Sequence, residues 1–178
     1  MVSTASIGEA GLIQAARDGD EVAFDSLLGP LIAPAYKLAV VMLRDPQEAQ
    51  DAVQEATLKA WRSLGKLRND AAIRPWFLTI LANQCRSMRR SRWWSVLRSE
   101  AIQTPHQAVG ERHDLSLDLN RELARLSATD RSALFLFFYL DLPFQDVARI
   151  LQISPQAAKS RVHRAVSRLR LGMAEVAR

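Results

Sequence analysis

The residues with the clearest chemical potential lie in the segment SPQAAKSRVHRAVSRLR at 154–170, which has five basic side chains and no acidic one. On a helix with about 100° per residue, the small and aliphatic side chains at 158, 162, 165, 166 and 169 fall on one face and predict its packing side. The remaining surface is cationic and suits phosphate binding, although a solvated surface helix would show the same pattern. Arg161, Arg164 and Arg168 form a stripe on this surface, and the rest of it is filled by Lys159, Ser160, His163 and Arg170.

A second predicted helix, in LPFQDVARILQI at 142–153, precedes the basic segment. It begins at Pro143, while Ser154 and Pro155 give the basic helix a cap and a favourable first residue. Two helices joined by a turn of about three residues form the helix-turn-helix plan, whose second helix enters the major groove of DNA. Gln152 stands in this turn, where glycine is common, and a left-handed backbone would cost glutamine more than glycine.

The segment RDPQEAQDAVQEATLKAWRSL at 44–64 predicts a helix capped by Asp45, with Pro46 as its first residue and an alanine-rich packing face. A leucine stands among polar groups on the opposite face. It is either an ordinary exposed residue or the centre of a protein-binding patch, and the residues alone leave both readings open. The outward side chains are Asp51, Gln54, Glu55, Arg62 and Leu58.

A third predicted helix, PWFLTILANQCRSMRR at 75–90, has a polar stripe opposite its apolar face and follows a polar loop, KLRNDAAIR at 66–74. Cations beside an aromatic ring and an amide are suited to holding single-stranded nucleic acid. A solvated helix face with a half-buried tryptophan would give the same pattern. The stripe contains Thr79, Asn83, Arg86 and Arg90, with Trp76 at its edge.

Composition excludes several classes of protein. The 178 residues are 48% hydrophobic and 24% charged, with a net charge of +5, as in an ordinary globular chain. The single cysteine, Cys85, indicates a reducing compartment, and the N-terminus lacks the features of a signal peptide. The longest uninterrupted apolar run, ALFLFFYL at 133–140, is too short to span a membrane. We therefore expect a soluble, cytoplasmic protein.

The sequence contains no group of residues that would suit an enzyme active site. His106, His113 and His163 are scattered along the chain, and Cys85 falls on the inner face of its helix with no evident base. The sequence therefore predicts no catalytic site, no metal site and no cofactor.

The distribution of charge indicates two modules. Residues 1–60 and 99–149 are net acidic, whereas 61–98 and 150–178 are net basic. Nearly every segment has helical periodicity, and the weakly periodic stretch SVLRSEAIQTPHQAVGERHDLSL falls between the modules. We therefore predict an all-α fold, with two small helical domains at 8–94 and 118–172 joined by a flexible linker at 95–117. The C-terminal domain is the helix-turn-helix.

Three motifs in this order resemble the extracytoplasmic-function (ECF) sigma factors, small bacterial transcription initiation factors. DAVQEATLKAW at 51–61 resembles their polymerase-binding segment. RPWFLTILANQCRSMRRSR at 74–92 resembles their promoter helix, with Phe77 where leucine is frequent. LPFQDVARILQISPQAAKSRVHRAVSRLR at 142–170 resembles their C-terminal helix-turn-helix.

The resemblance implies a role for each surface. The α-helical face with Asp51, Gln54, Glu55 and Leu58 would dock on core RNA polymerase. The basic helix at 155–170 would read the minus-35 element of promoter DNA through Lys159, Ser160, Arg161, Arg164 and Arg168. The loop and the third helix would capture the minus-10 element, with a base flipped from the non-template strand. The residues implied for that element are Arg68, Asn69, Asp70, Arg74, Trp76, Asn83, Arg86 and Arg90.

The resemblance further implies an inhibitory anti-sigma factor as a partner, and the short apolar runs predict no stable membrane insertion. Two alternatives stay open. A helix-turn-helix repressor would explain the C-terminus but not the basic segment 61–98, and a sigma-like decoy would have lost the basic residues that this chain keeps. Trp93 and Trp94 have no firm assignment beyond capping the first domain.

Overall fold

The computed structural model describes residues 8–67, 72–98 and 114–176, and every regular element in these ranges is helical. The predicted all-α fold class is confirmed. The N-terminal domain contains α1–α4 and the C-terminal domain contains α5–α8. In order, the elements are α1 (Glu9–Arg17), α2 (Glu21–Leu43), α3 (Pro46–Ser63), a 3-10 turn (Leu64–Lys66), α4 (Ile73–Arg98), α5 (Asp114–Arg125), α6 (Ala128–Leu134), a π-helical turn (Phe135–Tyr139), α7 (Phe144–Leu151) and α8 (Pro155–Val176).

Side-chain caps start the helices where the sequence predicts them. Asp45 accepts a hydrogen bond from the Glu48 N–H at 2.9 Å, which fixes the start of α3. Ser154 accepts one from the Ala157 N–H at 3.1 Å, and Pro155 is the first residue of α8. These local bonds satisfy amide groups that have no partner within the helix.

The N-terminal domain is built around α2, which packs against α1, α3 and α4. The alanine face of α3 is buried, and small side chains let the helices approach closely. Phe24 packs edge-to-face on Trp61 with 4.9 Å between the ring centroids. Phe77 and Leu81 bring α4 into the same core.

By length and composition alone, α2 is apolar enough to cross a membrane, with a mean hydropathy of 1.6. Its buried residues include Leu27, Leu28, Leu38 and Leu43, which contact the neighbouring helices. The apolar character of α2 is therefore accounted for by its place in the core.

The C-terminal domain places α8 across α5, α6 and α7. The predicted packing face of α8 is confirmed, since Ala158, Val162 and Ala165 are buried. Residues 133–139 of the apolar run are helical, and Phe138 and Tyr139 within it are exposed. The backbone widens into a π-helical turn there, which changes the side-chain register relative to an α-helix.

The helices reach further into the predicted linker than periodicity indicated. α4 continues to Arg98 and α5 begins at Asp114, so both ends of 95–117 are helical. The two domains also pack on each other, with α7 against α4 and α6 against α2.

Candidate nucleic-acid and protein interfaces

The outward face of α3 forms one wall of a shallow groove with a volume of about 410 Å³. Leu58 is 49% exposed, as predicted for a residue opposite the packing face. The groove has an apolar centre and an acidic rim, which suits an apolar and basic protein surface. Its lining residues are Asp51, Gln54, Glu55, Leu58, Gln84 and Met88.

The α4 side of the groove was missed from sequence. Gln84 and Met88 are one helical turn apart, and the partly buried Met88 also packs against the core. Gln84 accepts a hydrogen bond from Lys59 Nζ at 2.5 Å, and Lys59 lies 3.6 Å from the Glu55 carboxylate. The i, i+4 spacing of Glu55 and Lys59 on α3 can be read from the sequence. The packing of α4 beside α3 cannot.

The polar stripe of α4 forms as predicted. Asn83 and Arg90 are exposed, Arg86 is half-buried, and the Arg86 guanidinium donates to Asn83 Oδ1. Burial lowers the pKa of Arg86, although the group stays cationic. The Thr79 hydroxyl donates to the Pro75 carbonyl at 2.7 Å, so it is used within the helix.

The structure describes two of the residues predicted to flank this stripe, Trp76 and Arg74. Trp76 is half-buried against the core, and Arg74 is half-buried with its Nη2 donating to the Leu140 carbonyl at 2.6 Å. The predicted loop contacts Arg68, Asn69 and Asp70 lie outside the described residues.

The cationic surface of α8 contains Lys159, Arg164 and Arg168, all exposed. Ser160 is half-buried, and its carbonyl accepts a hydrogen bond from Arg164 Nε at 3.3 Å. In the turn before α8, Gln152 has a left-handed backbone, with φ 57° and ψ 47°. A non-glycine residue in this conformation carries a modest strain.

Arg161 differs from the other predicted DNA contacts. Its Nη1 donates to Asp130 Oδ1 at 2.8 Å, and its Nε is buried with no hydrogen-bond partner. Asp130 is 9% exposed and also accepts a hydrogen bond from the Ser127 hydroxyl. The Arg161 guanidinium is therefore turned toward α6, and the pair connects the start of α6 to α8.

Within the described ranges, no three histidine, cysteine, aspartate or glutamate side chains come together in a group that could hold a metal ion. Cys85 is fully buried, and burial raises the pKa of its thiol to about 12, so it is a poor nucleophile. His163 is exposed on α8, whereas His106 and His113 lie outside the described residues, as does the Trp94 side chain. Trp93 is 64% exposed.

Family profiles match both domains. The profile for Sigma-70 region 2 matches residues 23–95, and the profile for Sigma-70, region 4 matches residues 116–169. The α3 groove and the α4 stripe fall within the first match, and the helix-turn-helix falls within the second.

Curated relatives and solved structures agree with these profiles. The chain is 29% identical to the RNA polymerase sigma-H factor of Pseudomonas aeruginosa, over 86% of this chain and 88% of that protein. It is 30% identical to the ECF RNA polymerase sigma factor SigM of Mycobacterium tuberculosis, over 90% of this chain and 82% of that protein. The fold is similar to that of the sigma factor RpoE, solved in complex with the anti-sigma factor NepR from Bartonella quintana. That match has a TM-score of 0.76 and 27% identity, over 84% of this chain and 96% of that one.

A second solved structure shows the same fold at lower identity. It is CnrH in complex with the cytosolic domain of CnrY, with a TM-score of 0.70 and 21% identity, over 94% of this chain and 97% of that one.

Proposed function

Since the chain belongs to the ECF RNA polymerase sigma factors and is a promoter-specific transcription initiation factor, we propose how its surfaces divide that task. The α3 groove binds core RNA polymerase, the α4 stripe captures the minus-10 element, and α8 reads the minus-35 element. We assign the first two tasks to a domain at 8–94 and the third to a domain at 118–172, joined through 95–117.

The α3 groove has the composition of a protein-binding site. Leu58 offers an apolar anchor, and Asp51 and Glu55 provide acidic neighbours at the rim. Apolar anchors surrounded by polar groups dominate the binding energy of many interfaces, and rim charges steer the approach of the partner. We assign Asp51, Gln54, Glu55 and Leu58 to core polymerase.

The α4 stripe has the composition of a single-strand site. Asn83 offers an amide for base edges, Arg86 and Arg90 offer cations for phosphates, and Trp76 offers an aromatic edge. Arg74 and the loop residues Arg68, Asn69 and Asp70 complete the set assigned to the minus-10 element. Holding an unstacked base in the loop lowers the free energy of local melting.

The observation that carries the proposal is the exposed cationic surface on the second helix of the helix-turn-helix. Lys159, Arg164 and Arg168 form no salt bridge with a carboxylate among the described residues, so they are available to phosphates and base edges. Ser160 lies beside them. We assign Arg161 instead to positioning, because its pairing with Asp130 holds α8 against α6.

Two further assignments follow from the family. We propose an anti-sigma factor as the inhibitory partner, because the similar sigma factor RpoE was solved in complex with the anti-sigma factor NepR. We also propose that the chain acts in the cytoplasm, where polymerase acts, without a cofactor or a catalytic site of its own. The polymerase supplies the chemistry of RNA synthesis.

Replacing Arg164 with alanine tests the minus-35 assignment. We expect affinity for a promoter containing the minus-35 element to fall about tenfold, since one arginine–base contact contributes roughly 1–3 kcal/mol. Binding to core polymerase should not change. The measurement is a footprint of the reconstituted holoenzyme across a titration of sigma factor.

Arg170→Ala is the matched control for that experiment. Arg170 is exposed on α8 and has the same charge, but it lies about 120° around the helix from Arg164. An unchanged minus-35 footprint with Arg164→Ala, or an equal loss with Arg170→Ala, contradicts the assignment.

A further inference from the structure

Helix α1 lies before the part of the chain that the region 2 profile matches, which begins at residue 23. Its buried residues Ile13 and Ala16 pack it into the core of the N-terminal domain. Glu9, Ile13 and Arg17 are spaced four residues apart, so they lie along one face of the helix. Because Ile13 is buried, this face is turned toward the rest of the domain, with a carboxylate at one end and a guanidinium at the other.

Arg17 holds the residues that lead into the predicted loop at 66–74. Its Nε lies 3.4 Å from the Leu64 carbonyl oxygen, and its Nη2 donates to the Leu67 carbonyl. The Leu67 N–H in turn donates to the Leu64 carbonyl at 3.0 Å, which closes the 3-10 turn. The half-buried guanidinium thus bonds to the carbonyls of both residues that close the turn. A charged donor makes such hydrogen bonds stronger than those between neutral groups.

Glu9 holds the other end of the loop, where α4 begins. Its Oε1 accepts a hydrogen bond from the Ile73 N–H at 3.4 Å. The first amides of a helix have no partner within it, and Ala72, which precedes α4, has no side-chain acceptor. A carboxylate at this position also interacts favourably with the helix dipole. Glu9 therefore supplies, from another helix, the cap that the local sequence lacks.

The two contacts flank the loop residues assigned to the minus-10 element. Arg68, Asn69 and Asp70 stand between Leu67 and Ile73 in the sequence. Leu67 is 3% exposed and Ile73 is 5% exposed, so apolar packing and the polar bonds of α1 fix the same two positions. A binding segment with fixed ends loses less conformational entropy when its ligand binds.

We propose that α1 is a brace for minus-10 capture, in which Arg17 and Glu9 are positioning residues that fix the two ends of the loop. Both side chains act through the backbone of the chain and not through contact with DNA. The brace lowers the entropy cost of taking up an unstacked base, so it favours promoter melting. The inference rests on the minus-10 function proposed for the loop.

Hydrogen exchange of single amides in the full chain measures the brace directly. We expect Arg17→Ala to speed exchange of the Leu67 amide about tenfold, because hydrogen bonds from charged groups make a contribution of this size to local opening. We expect Glu9→Ala to speed exchange of the Ile73 amide severalfold. Arg17→Lys keeps a cationic donor and Glu9→Gln keeps an acceptor, so both should recover most of the protection.

Promoter opening tests the consequence for function. With core polymerase and a promoter at which the unmodified chain starts transcription, permanganate reactivity of unpaired thymines measures melting of the minus-10 element. We expect Arg17→Ala to lower melting about tenfold and Arg17→Lys to restore most of it. The affinity for core polymerase and the minus-35 footprint should not change, whereas a general loss of structure would reduce both. If Arg17→Ala does reduce both, Glu9→Ala and Glu9→Gln decide through the same readouts, because Glu9 is exposed.

Gln14→Ala is the matched control on the same helix. Gln14 is exposed, and its side chain bonds to Asp18 within α1. We expect this control to leave exchange and melting unchanged. Unchanged exchange of the Leu67 and Ile73 amides in the alanine variants overturns the brace, and so does faster exchange with full promoter melting. Absence of melting with the unmodified chain would instead contradict the proposed function.

Discussion

Replacing Leu58 with glutamate is expected to weaken binding to core RNA polymerase by roughly 30- to 1,000-fold, or about 2–4 kcal/mol. The substitution removes the apolar centre of the α3 groove and adds a carboxylate beside Asp51 and Glu55. The fold should be retained, because Leu58 is 49% exposed and lies outside the core. The measurement is titration of fluorescently labelled sigma factor with core polymerase.

Val22→Glu is the matched control for Leu58→Glu. Val22 is an aliphatic residue on α2 that is 76% exposed, and it does not line the groove. We expect the control to bind core polymerase as tightly as the unmodified chain. Equal affinities for both variants and the unmodified chain would remove the α3 groove from the polymerase interface.

Replacing Asp130 with alanine is expected to have the second large effect. We expect this substitution to lower the free energy of unfolding of the C-terminal domain by about 2–3 kcal/mol. Asp130 is 9% exposed, and its loss leaves the partly buried Arg161 guanidinium without its carboxylate. It also removes the acceptor of the Ser127 hydroxyl. Hydrogen-exchange protection of the α6 and α8 amides in the full chain measures the change.

Asp146→Ala is the control for this experiment. Asp146 pairs with Arg149 within α7, but the Arg149 side chain is 60% exposed, and such pairs contribute little. We expect its effect on protection to be small. Equal losses in both variants would show that the Asp130–Arg161 pair has no special role in holding α8.

Acid should weaken the same pair. Burial raises the pKa of Asp130, but hydrogen bonds from Ser127 and Arg161 and the charges of Arg161 and Arg168 lower it more, so the pKa lies below its ordinary value of 3.8. The stability from this group is therefore fully present above the unfolded pKa and is lost as pH falls through the folded pKa. We expect Asp130→Ala to lack this acid-dependent loss of α8 protection.

The features predicted well from sequence depend on nearby residues. Capping by Asp45 and Ser154 needs partners only three residues away, and the exposure of Leu58 follows from helical periodicity. Gln152 was a departure from the glycine common in this turn, and the structure gives it the left-handed backbone that costs glutamine more than glycine.

The features that escaped prediction depend on tertiary contacts. Arg161 shares a helical stripe with Arg164 and Arg168, and only the position of α6 turns it toward Asp130, 31 residues earlier. The α4 side of the groove was not predicted, because periodicity does not show which helix lies beside each face of its neighbour. The contact of Gln152 with Asn83 spans 69 residues and needs the docking of two domains.

The central claim is that this chain binds core polymerase and directs it to promoters through two DNA-reading surfaces. Its most direct test is in vitro transcription from fragmented genomic DNA of the source bacterium, with purified core polymerase and mapping of the RNA 5′ ends. We expect discrete start sites that appear only with the chain present, preceded by shared minus-10 and minus-35 elements. Core binding without start sites beyond those of core polymerase alone would contradict the claim.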